Sequence, residues 1–398
     1  MTPAAGFGVY VHVPFCLHRC HYCDFVTYTG MEGLRRPYAA ALRTEAELAV
    51  RALGGPLPEV TSIFVGGGTP TLLPPADLAA VLERLGDLLP VAPGAEVTVE
   101  ANPETVDDAV AAGLAAAGVT RVSMGAQSFD PTVLAELGRT HGPETVPEAV
   151  GRLRRAGVPA ISLDLIYGSP SEDDRSWAAT LDAALALAPE HLSAYALTIE
   201  PATRFGRLVA AGQLDEPDDD ELADRYEHAC AVLAAHGFGH YEVSNWATGP
   251  PGPDGLPARA SRHNLTYWRR GRYLGLGAGA HEFTGQERRW NVAGVPAYLA
   301  AVRAGRRPTA GGERLDTEQA RFETLALRLR TADGLGPEEA AVLGVDPGGP
   351  VVAHLRAAGL LATGPGVALT ERGMFLHGDV VGRLDGQAAR TPALRTTA

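Results

Sequence analysis

The chain has 398 residues, and its 34 basic and 47 acidic side chains give a formal net charge of −13. An acidic chain of this kind is a poor general nucleic-acid binder, and because it contains no lysine, a lysine Schiff base and a lysine phosphate clamp are excluded. The length allows two or three domains with a large core.

The first 200 residues alternate between short apolar runs and amphipathic stretches. The runs predicted as strands are Gly8–Val13, Ser62–Val65, Glu96–Glu100, Arg121–Met124, Ala160–Leu165 and His191–Leu197. The stretches predicted as helices include Tyr38–Ala52, Pro75–Leu89 and Glu144–Ala156. This alternation predicts an α/β fold with a parallel sheet covered by helices, and six units favour a partial TIM-like barrel over a full eight-unit barrel.

Three of the four cysteines, Cys16, Cys20 and Cys23, lie in one short loop directly after the first predicted strand. Thiolates this close need a metal, and three of them would leave one iron of a 4Fe-4S cluster open, which is the interpretation that we favour. A zinc site with His18 or His21 as fourth ligand, and a redox or structural thiol group, remain alternatives. The fourth cysteine, Cys230, lies in a helical pattern and is predicted to be a small buried side chain.

Polar residues follow the later strands at the same predicted edge of the sheet, where such folds carry their chemistry. The glycine-rich run Gly66–Thr71 follows the second strand and predicts a backbone that a ligand can touch, with its N–H and C=O groups available. Glu100 ends the third strand, and Gln127 follows the fourth. Asp164 lies inside the fifth strand, so it needs a partner, and Arg139 is one candidate.

After residue 200 the strand–helix alternation stops. Residues 201–312 are predicted as an extension, with a helix at Glu221–His236, a strand at His240–Trp246 and an exposed loop at Gly249–Ala258. Residues 313–384 are predicted as a small C-terminal helical domain similar to a winged helix, and residues 385–398 as a frayed tail. The elements predicted for the C-terminal domain are the helices Thr317–Arg330, Pro337–Leu343 and Val351–Ala358 and a β-hairpin at Leu360–Thr370.

Together, the cysteine loop, the Gly-Gly-Gly-Thr-Pro run and the polar strand ends resemble the radical S-adenosylmethionine superfamily. More narrowly, the chain is similar to the oxygen-independent coproporphyrinogen III oxidase family over nearly its whole length. The segments that carry this similarity are Tyr10–Cys16, Tyr22–Phe25, Gly125–Phe129, Asp164–Gly168 and Ser193–Pro201.

The resemblance implies a 4Fe-4S cluster held by the three loop cysteines, with S-adenosylmethionine bound to the open iron. It also implies which residues line the S-adenosylmethionine site: Tyr10, Tyr22, Gly67, Gly68, Thr69, Glu100, Gln127, Arg139, Asp164 and Ala196.

Within this family, an oxidase branch carries a further cysteine two residues after the third cluster cysteine, where this chain has Phe25. The chain instead resembles a heme-chaperone branch, which carries the motif His-Asn-x-x-Tyr-Trp, here His263, Asn264, Tyr267 and Trp268. By this resemblance these four residues bind heme, since imidazole is a common axial ligand and Tyr and Trp offer flat apolar faces. His281 is a second candidate for the same pocket.

The resemblance therefore predicts a heme chaperone that delivers heme to a client protein, a respiratory one at the membrane. An electron donor and a homodimer are further predicted partners. The alternatives are an oxygen-independent coproporphyrinogen III oxidase and, more distantly, a zinc-stabilised binding module. No apolar run of about 18 residues and no secretion-signal pattern is visible, which predicts a cytoplasmic protein, peripheral to a membrane at most.

Overall fold

The computed structural model describes residues 6–54 and 56–388. Its first part contains six strands: β1 (Phe7–Val13), β2 (Val60–Gly67), β3 (Val91–Ala101), β4 (Arg121–Gln127), β5 (Ala160–Tyr167) and β6 (His191–Ala196). The helices between and after them are α1 (Arg35–Leu53), α2 (Pro75–Leu88), α3 (Asp108–Ala116), α4 (Pro131–Glu136), α5 (Thr145–Ala156) and α6 (Asp174–Ala186). Short 3-10 turns lie at Glu32–Leu34, Pro70–Leu72 and Pro103–Thr105.

These six strands pair in parallel and in chain order, as the alternation predicted. Six of the seven residues of strand β1 are buried, because helices pack on one face of the sheet and apolar side chains of the strands pack together on the other. Since all six strands run the same way, their carboxyl ends meet at one edge, and the loops that follow them lie together there.

The extension adds strands to both edges of this sheet. Its elements are α7 (Arg204–Ala210), α8 (Asp219–Ala235), β7 (Gly239–Glu242), β8 (Asn245–Ala247), α9 (Arg262–Trp268), β9 (Tyr273–Leu276), β10 (His281–Phe283), β11 (Glu287–Asn291), α10 (Val295–Arg303) and β12 (Thr309–Arg314). Strand β9 pairs in parallel with β1, and β8 pairs antiparallel with β6. The barrel is therefore open, and the twelve strands follow the order β12-β11-β10-β9-β1-β2-β3-β4-β5-β6-β8-β7.

The prediction of a single strand at His240–Trp246 is wrong. A tight turn at Val243 and Ser244 divides this segment into β7 and β8, which pair with each other. The turn is stabilised by Glu242, whose carboxylate accepts a hydrogen bond from the Ser244 N–H at 3.1 Å.

The C-terminal part is helical, with α11 (Thr317–Leu329), α12 (Pro337–Val342), α13 (Pro350–Ala357), α14 (Glu371–Phe375) and α15 (His377–Ala388). In the predicted hairpin, Leu361 and Leu369 form an isolated antiparallel bridge, so the turn is present without a longer ladder.

The predicted tail is wrong for its first residues, because α15 continues through Ala388 and Asp385 forms an ion pair with Arg321 of α11. Residues 389–398 lie outside the described part of the chain. Within the described ranges, no helix is long and apolar enough to cross a membrane.

Candidate functional site

The cysteine loop leaves the carboxyl end of β1 and is held at its base and its middle. The Cys16 N–H donates to the Tyr28 carbonyl at 3.0 Å, and the Tyr28 N–H donates back to Pro14 at 2.7 Å. In the middle of the loop, the His21 N–H donates to the Leu137 carbonyl at 3.0 Å. These bonds hold the three cysteines, all free and partly exposed, at the predicted edge of the sheet.

As they are placed in this structure, His21 and the three thiols do not fit a single zinc ion. The Nδ1 of His21 bonds the Glu136 carbonyl at 2.7 Å and its Nε2 accepts from Arg204 at 2.7 Å, so neither ring nitrogen is free. The three thiol sulfurs also do not all lie within 4.8 Å of one another. Among the described residues, the only group of three potential metal-ligand atoms that close together belongs to Cys230, His240 and Glu371. Zinc binds sulfur at about 2.3 Å, so the wider spacing suits a group larger than one ion.

A hydrogen-bonded network joins two of the cysteines. The buried Arg139 guanidinium donates to Cys20 Sγ at 3.4 Å and to Asn102 Oδ1 at 2.8 Å. Asn102 donates to Thr69 Oγ1 at 3.0 Å, and Thr69 donates to Cys16 Sγ at 3.9 Å. Asn102 was not among the predicted site residues, although it directly follows β3, where strand-end polar residues were expected.

Burial acts on the pKa of each thiol, but the neighbours differ. Burial raises the pKa of Cys16 to about 11 and also raises that of Cys23. Burial would raise the pKa of Cys20 as well, but a hydrogen bond from His18 and the positive charge of Arg139 outweigh it and bring the pKa below its ordinary value.

A cavity of about 580 Å³ opens beside the three cysteines. Nine of the ten residues predicted for S-adenosylmethionine line it: Tyr22, Gly67, Gly68, Thr69, Glu100, Gln127, Arg139, Asp164 and Ala196. They come from strands β2 to β6 and the turns that follow them, from the cysteine loop and, for Arg139, from the loop after α4. The tenth, Tyr10, lines a neighbouring cavity of about 350 Å³, where its hydroxyl donates to His12 Nδ1 at 2.8 Å.

The glycine-rich run has a different use from the predicted one. Its N–H groups were expected to be available to a ligand, but the Gly68 N–H donates to Val13 at 2.8 Å and the Thr69 N–H to Phe15 at 2.7 Å. The Gly67 N–H donates to Glu100 Oε2 at 2.8 Å. Gly67 also has a φ of +109°, and a Cβ there would lie 2.3 Å from the His12 ring. The glycines allow β2 to approach the start of the cysteine loop.

Two carboxyl groups face the large cavity with raised pKa values. The pKa of Glu100 is raised to about 7, mainly by burial and in smaller part by the nearby Asp164, while the hydrogen bond from the Gly67 N–H opposes the rise. Burial likewise raises the pKa of Asp164. The predicted Arg139 partner for Asp164 is wrong, since the hydroxyls of Ser123 and Ser193 donate to it at 2.9 and 2.7 Å.

The His-Asn-x-x-Tyr-Trp motif forms helix α9, which packs behind β1 and β2. The His263 ring has no exposed surface and stacks on Phe64 at 5.2 Å. Its Nδ1 bonds Ser62 Oγ at 2.9 Å and its Nε2 bonds Tyr267 Oη at 2.8 Å. Burial lowers the pKa of His263 to about 3, so the ring is neutral near pH 7. In this conformation, both nitrogens of His263 are engaged inside the protein.

The other motif residues point to different cavities. Asn264 lines the large cavity, and Tyr267 lines the neighbouring one together with His281. Tyr267 also borders a third cavity, of about 230 Å³, with Trp268. Phe25, the residue that replaces a cysteine of the oxidase branch, is 63% exposed and lines both the first and the second cavity.

A sequence profile of the Radical SAM superfamily matches residues 10–184. The heme chaperone HemW of Mycobacterium tuberculosis is 44% identical over 336 residues, which cover 84% of this chain and 84% of that protein. The heme chaperone HemW of Bacillus subtilis is 34% identical over 388 residues, covering 96% and 99%. The chain belongs to the HemW family.

The solved structure of the coproporphyrinogen III oxidase HemN from Escherichia coli also matches this HemW-family chain. Its TM-score is 0.79, and the match covers 96% of this chain and 91% of that protein at 23% identity. The likeness confirms the predicted α/β partial barrel, and at this identity it shows the fold alone.

The arginines that surround the HemW-family motif have separate partners. Arg262 donates to the Gly94 carbonyl at 2.8 Å, and Arg269 binds Asp254 at 2.7 Å. Of the four arginines near the motif, Arg262, Arg269, Arg270 and Arg272, only Arg270 lines one of the three cavities. Arg288, in β11, lines the third cavity with it and has no sequence signal that connects it to the motif.

Proposed function

We propose that this chain is a heme chaperone that binds a 4Fe-4S cluster, S-adenosylmethionine and heme, and passes heme to a client protein. The proposal is carried by two adjoining sites. Three partly exposed cysteines lie beside the large cavity, and an aromatic-lined cavity adjoins it through Phe25 and Glu100. The names of the similar HemW proteins support the same function.

In this proposal Cys16, Cys20 and Cys23 hold the cluster. A cluster held there would supply one-electron reduction chemistry to a bound S-adenosylmethionine. The chain orients the cofactor: Glu100 accepts hydrogen bonds from an ammonium or ribose hydroxyl, and Arg139 holds Cys20 in place. The apolar walls near Ile166 and Leu197 keep water away from the site.

The proposed heme site is the pair of smaller cavities that Tyr267 and Tyr273 both border. Tyr267 and Trp268 offer flat apolar surfaces to a porphyrin. His281 is exposed in this site and would be available to heme iron, whereas the Nε2 of His263 would become available only when Tyr267 rotates away from it.

The proposed partners are a heme-accepting client, at the membrane surface, an electron donor and a second copy of this chain. Leu17 and Phe25 are 50% and 63% exposed on the cysteine loop. Exposed apolar side chains beside a functional site are typical of contact surfaces. We therefore place the contact with one of these partners at the loop.

The test begins with anaerobic reconstitution of the full-length chain. We expect about four irons per chain, and loss of this iron in Cys20→Ala. Heme is then titrated into the wild type, Tyr267→Ala, His281→Ala and His263→Ala, with Phe322→Ala as a control at an exposed aromatic residue outside the cavities.

We expect weaker heme binding in Tyr267→Ala, His281→Ala and His263→Ala than in the wild type, and unchanged binding in Phe322→Ala. A wild-type protein that converts coproporphyrinogen III but does not bind heme would contradict the chaperone proposal. A colourless, zinc-containing protein would contradict the cluster as well.

A further inference from the structure

Arg270 occupies a backbone conformation that favours glycine. It follows helix α9 with a φ of +51°, and the next residue, Gly271, closes the helix by donating to the Thr266 carbonyl at 2.7 Å. Helices commonly end with glycine in this left-handed position, because a Cβ there is unfavourable. Because a non-glycine residue is strained in this conformation, its presence suggests that the Arg270 side chain has a function.

The Arg270 guanidinium is placed for a ligand but is only partly satisfied. Its carbon lies 4.7 Å from the centre of the Phe283 ring. Its Nε is buried and has no hydrogen-bond partner, and the nearest carboxylate oxygen, Glu323 Oε2, is 3.6 Å away. Buried donors are normally paired, so this one has capacity for an acceptor.

Arg288 approaches the same carboxylate from the other side. Its Nη2 lies 2.5 Å from Glu323 Oε1, and its Nη1 bonds Glu313 at 2.8 Å. Both arginines and Glu323 line the third cavity, with Tyr267, Tyr273 and Phe283. One carboxylate, carried by helix α11 of the C-terminal part, thus lies between two guanidinium groups in an aromatic cavity.

We propose that Arg270 and Arg288 form a carboxylate subsite for a heme propionate, and that Glu323 occupies this subsite when heme is absent. This inference rests on the proposed heme function. Heme is a flat apolar ring with two carboxylates at one edge, which matches aromatic walls with guanidinium groups at one end. Planar guanidinium groups bind a carboxylate in the same way whether it belongs to Glu323 or to a propionate.

A direct consequence is competition between Glu323 and heme. A propionate that enters the subsite displaces Glu323, so the ion pairs that connect α11 to Arg270 and Arg288 are lost. Heme binding is therefore coupled to the attachment of the C-terminal part, and the coupling is reciprocal. The free protein keeps its two arginines neutralised until a ligand with its own carboxylate arrives.

The test is a heme titration of the full-length chain, followed by the absorbance of bound heme. We expect Glu323→Gln to bind heme about fivefold more tightly, the low end of typical couplings between sites. We expect Arg288→Ala to bind it about tenfold more weakly, since a charge-assisted hydrogen bond to the propionate is lost. The matched control is Glu313→Gln, which removes a charge beside Arg288 but outside the cavity and should change affinity by less than about twofold.

Heme dimethyl ester, which lacks free carboxylates, separates this inference from the function on which it rests. Its affinity should be equal for the wild type and Glu323→Gln. If Glu323→Gln tightens heme and its ester alike, or if Arg288→Ala binds heme as the wild type does, the carboxylate subsite is overturned while the chaperone function stands. If the wild type binds neither compound, both proposals fail.

Discussion

Gly68 shows how the absence of one side chain places the cysteine loop against the sheet. A Cβ on this residue would lie 2.6 Å from the Phe15 carbonyl oxygen and 2.8 Å from that of Val13. Both oxygens belong to the backbone, which cannot move aside as a flexible side chain can. The glycine therefore supports the position of Cys16, whose neighbour Phe15 also accepts the Thr69 N–H.

We predict that Gly68→Ala destabilises the protein by about 1–3 kcal/mol, the usual cost of overpacking, and lowers the iron retained after anaerobic reconstitution. Gly33→Ala is the matched control, because no atom would lie within 4 Å of its new Cβ. Thermal unfolding and iron content measure the two effects. Equal iron content in both variants would show that the loop does not depend on this contact.

Single residues also show where sequence reasoning reached its limit. The place of Asp164 on a buried strand predicted that it needs a partner, but the partner depends on which neighbouring strands pair with β5. Those strands, β4 and β6, bring Ser123 and Ser193 to it, so hydroxyls satisfy it and Arg139 is free to bind Cys20. Pairwise contacts of this kind follow from register, which no local pattern contains.

Helix α9 is held at its amino end by a carboxylate from the barrel. Glu96 of β3 accepts from the N–H groups of Arg262 and His263, each at 3.2 Å, and pairs with Arg121 at 3.2 Å. The Ser261 side chain caps the same end by accepting from Asn264. A negative charge stabilises the first turn of a helix, so Glu96 fixes where the motif helix begins.

We predict that Glu96→Ala costs about 3–5 kcal/mol of stability, because it leaves the Arg121 charge buried without its carboxylate. It should also weaken heme binding, since Tyr267 and Trp268 lie on the helix that it caps. Glu96→Gln retains an acceptor oxygen, so it should lose less. Denaturant unfolding and heme titration test both, and a Gln variant as unstable as the Ala variant would mean that the charge itself is what matters.

At the scale of the whole molecule, Glu45 joins the barrel to the extension. This fully buried carboxyl on α1 accepts from the Gly277 N–H at 2.7 Å, from Asn291 at 2.6 Å and from the Tyr298 hydroxyl at 2.7 Å. Those partners lie after β9, in β11 and in α10. Burial raises the pKa of Glu45 to about 7, and the three hydrogen bonds partly oppose this rise.

The raised pKa predicts a stability change with pH. The folded protein holds the Glu45 proton up to about pH 7, whereas the unfolded chain releases it near pH 4.5. The stabilisation from this proton is thus complete below pH 4.5 and is lost as the pH rises through about 7. At about 1.4 kcal/mol per pH unit, the loss is about 3 kcal/mol.

Glu45→Gln removes this titration. The free energy of unfolding of the wild type minus that of Glu45→Gln should therefore fall between pH 4.5 and 8, as measured by denaturant unfolding at several pH values. A difference that stays constant across this range would contradict the assignment.

The sequence by itself determined the six parallel strands and the place of the cysteine loop after the first of them. Alternating apolar runs predicted six parallel strands, since period and turn signals are local properties, and the spacing of Cys16, Cys20 and Cys23 predicted a cluster in the same way. Nine of ten predicted cofactor residues share one cavity, because the ends of parallel strands meet at one edge.

Only the tertiary structure decided which side chains are buried and paired and which stay available to a ligand. It buried His263 between Ser62 and Tyr267, while the less favoured His281 stayed exposed. It also brought Arg270, Arg288 and Glu323 from distant parts of the chain into one cavity. Burial and pairing depend on how helices and strands pack across long sequence separations, and that information is absent from any short stretch of sequence.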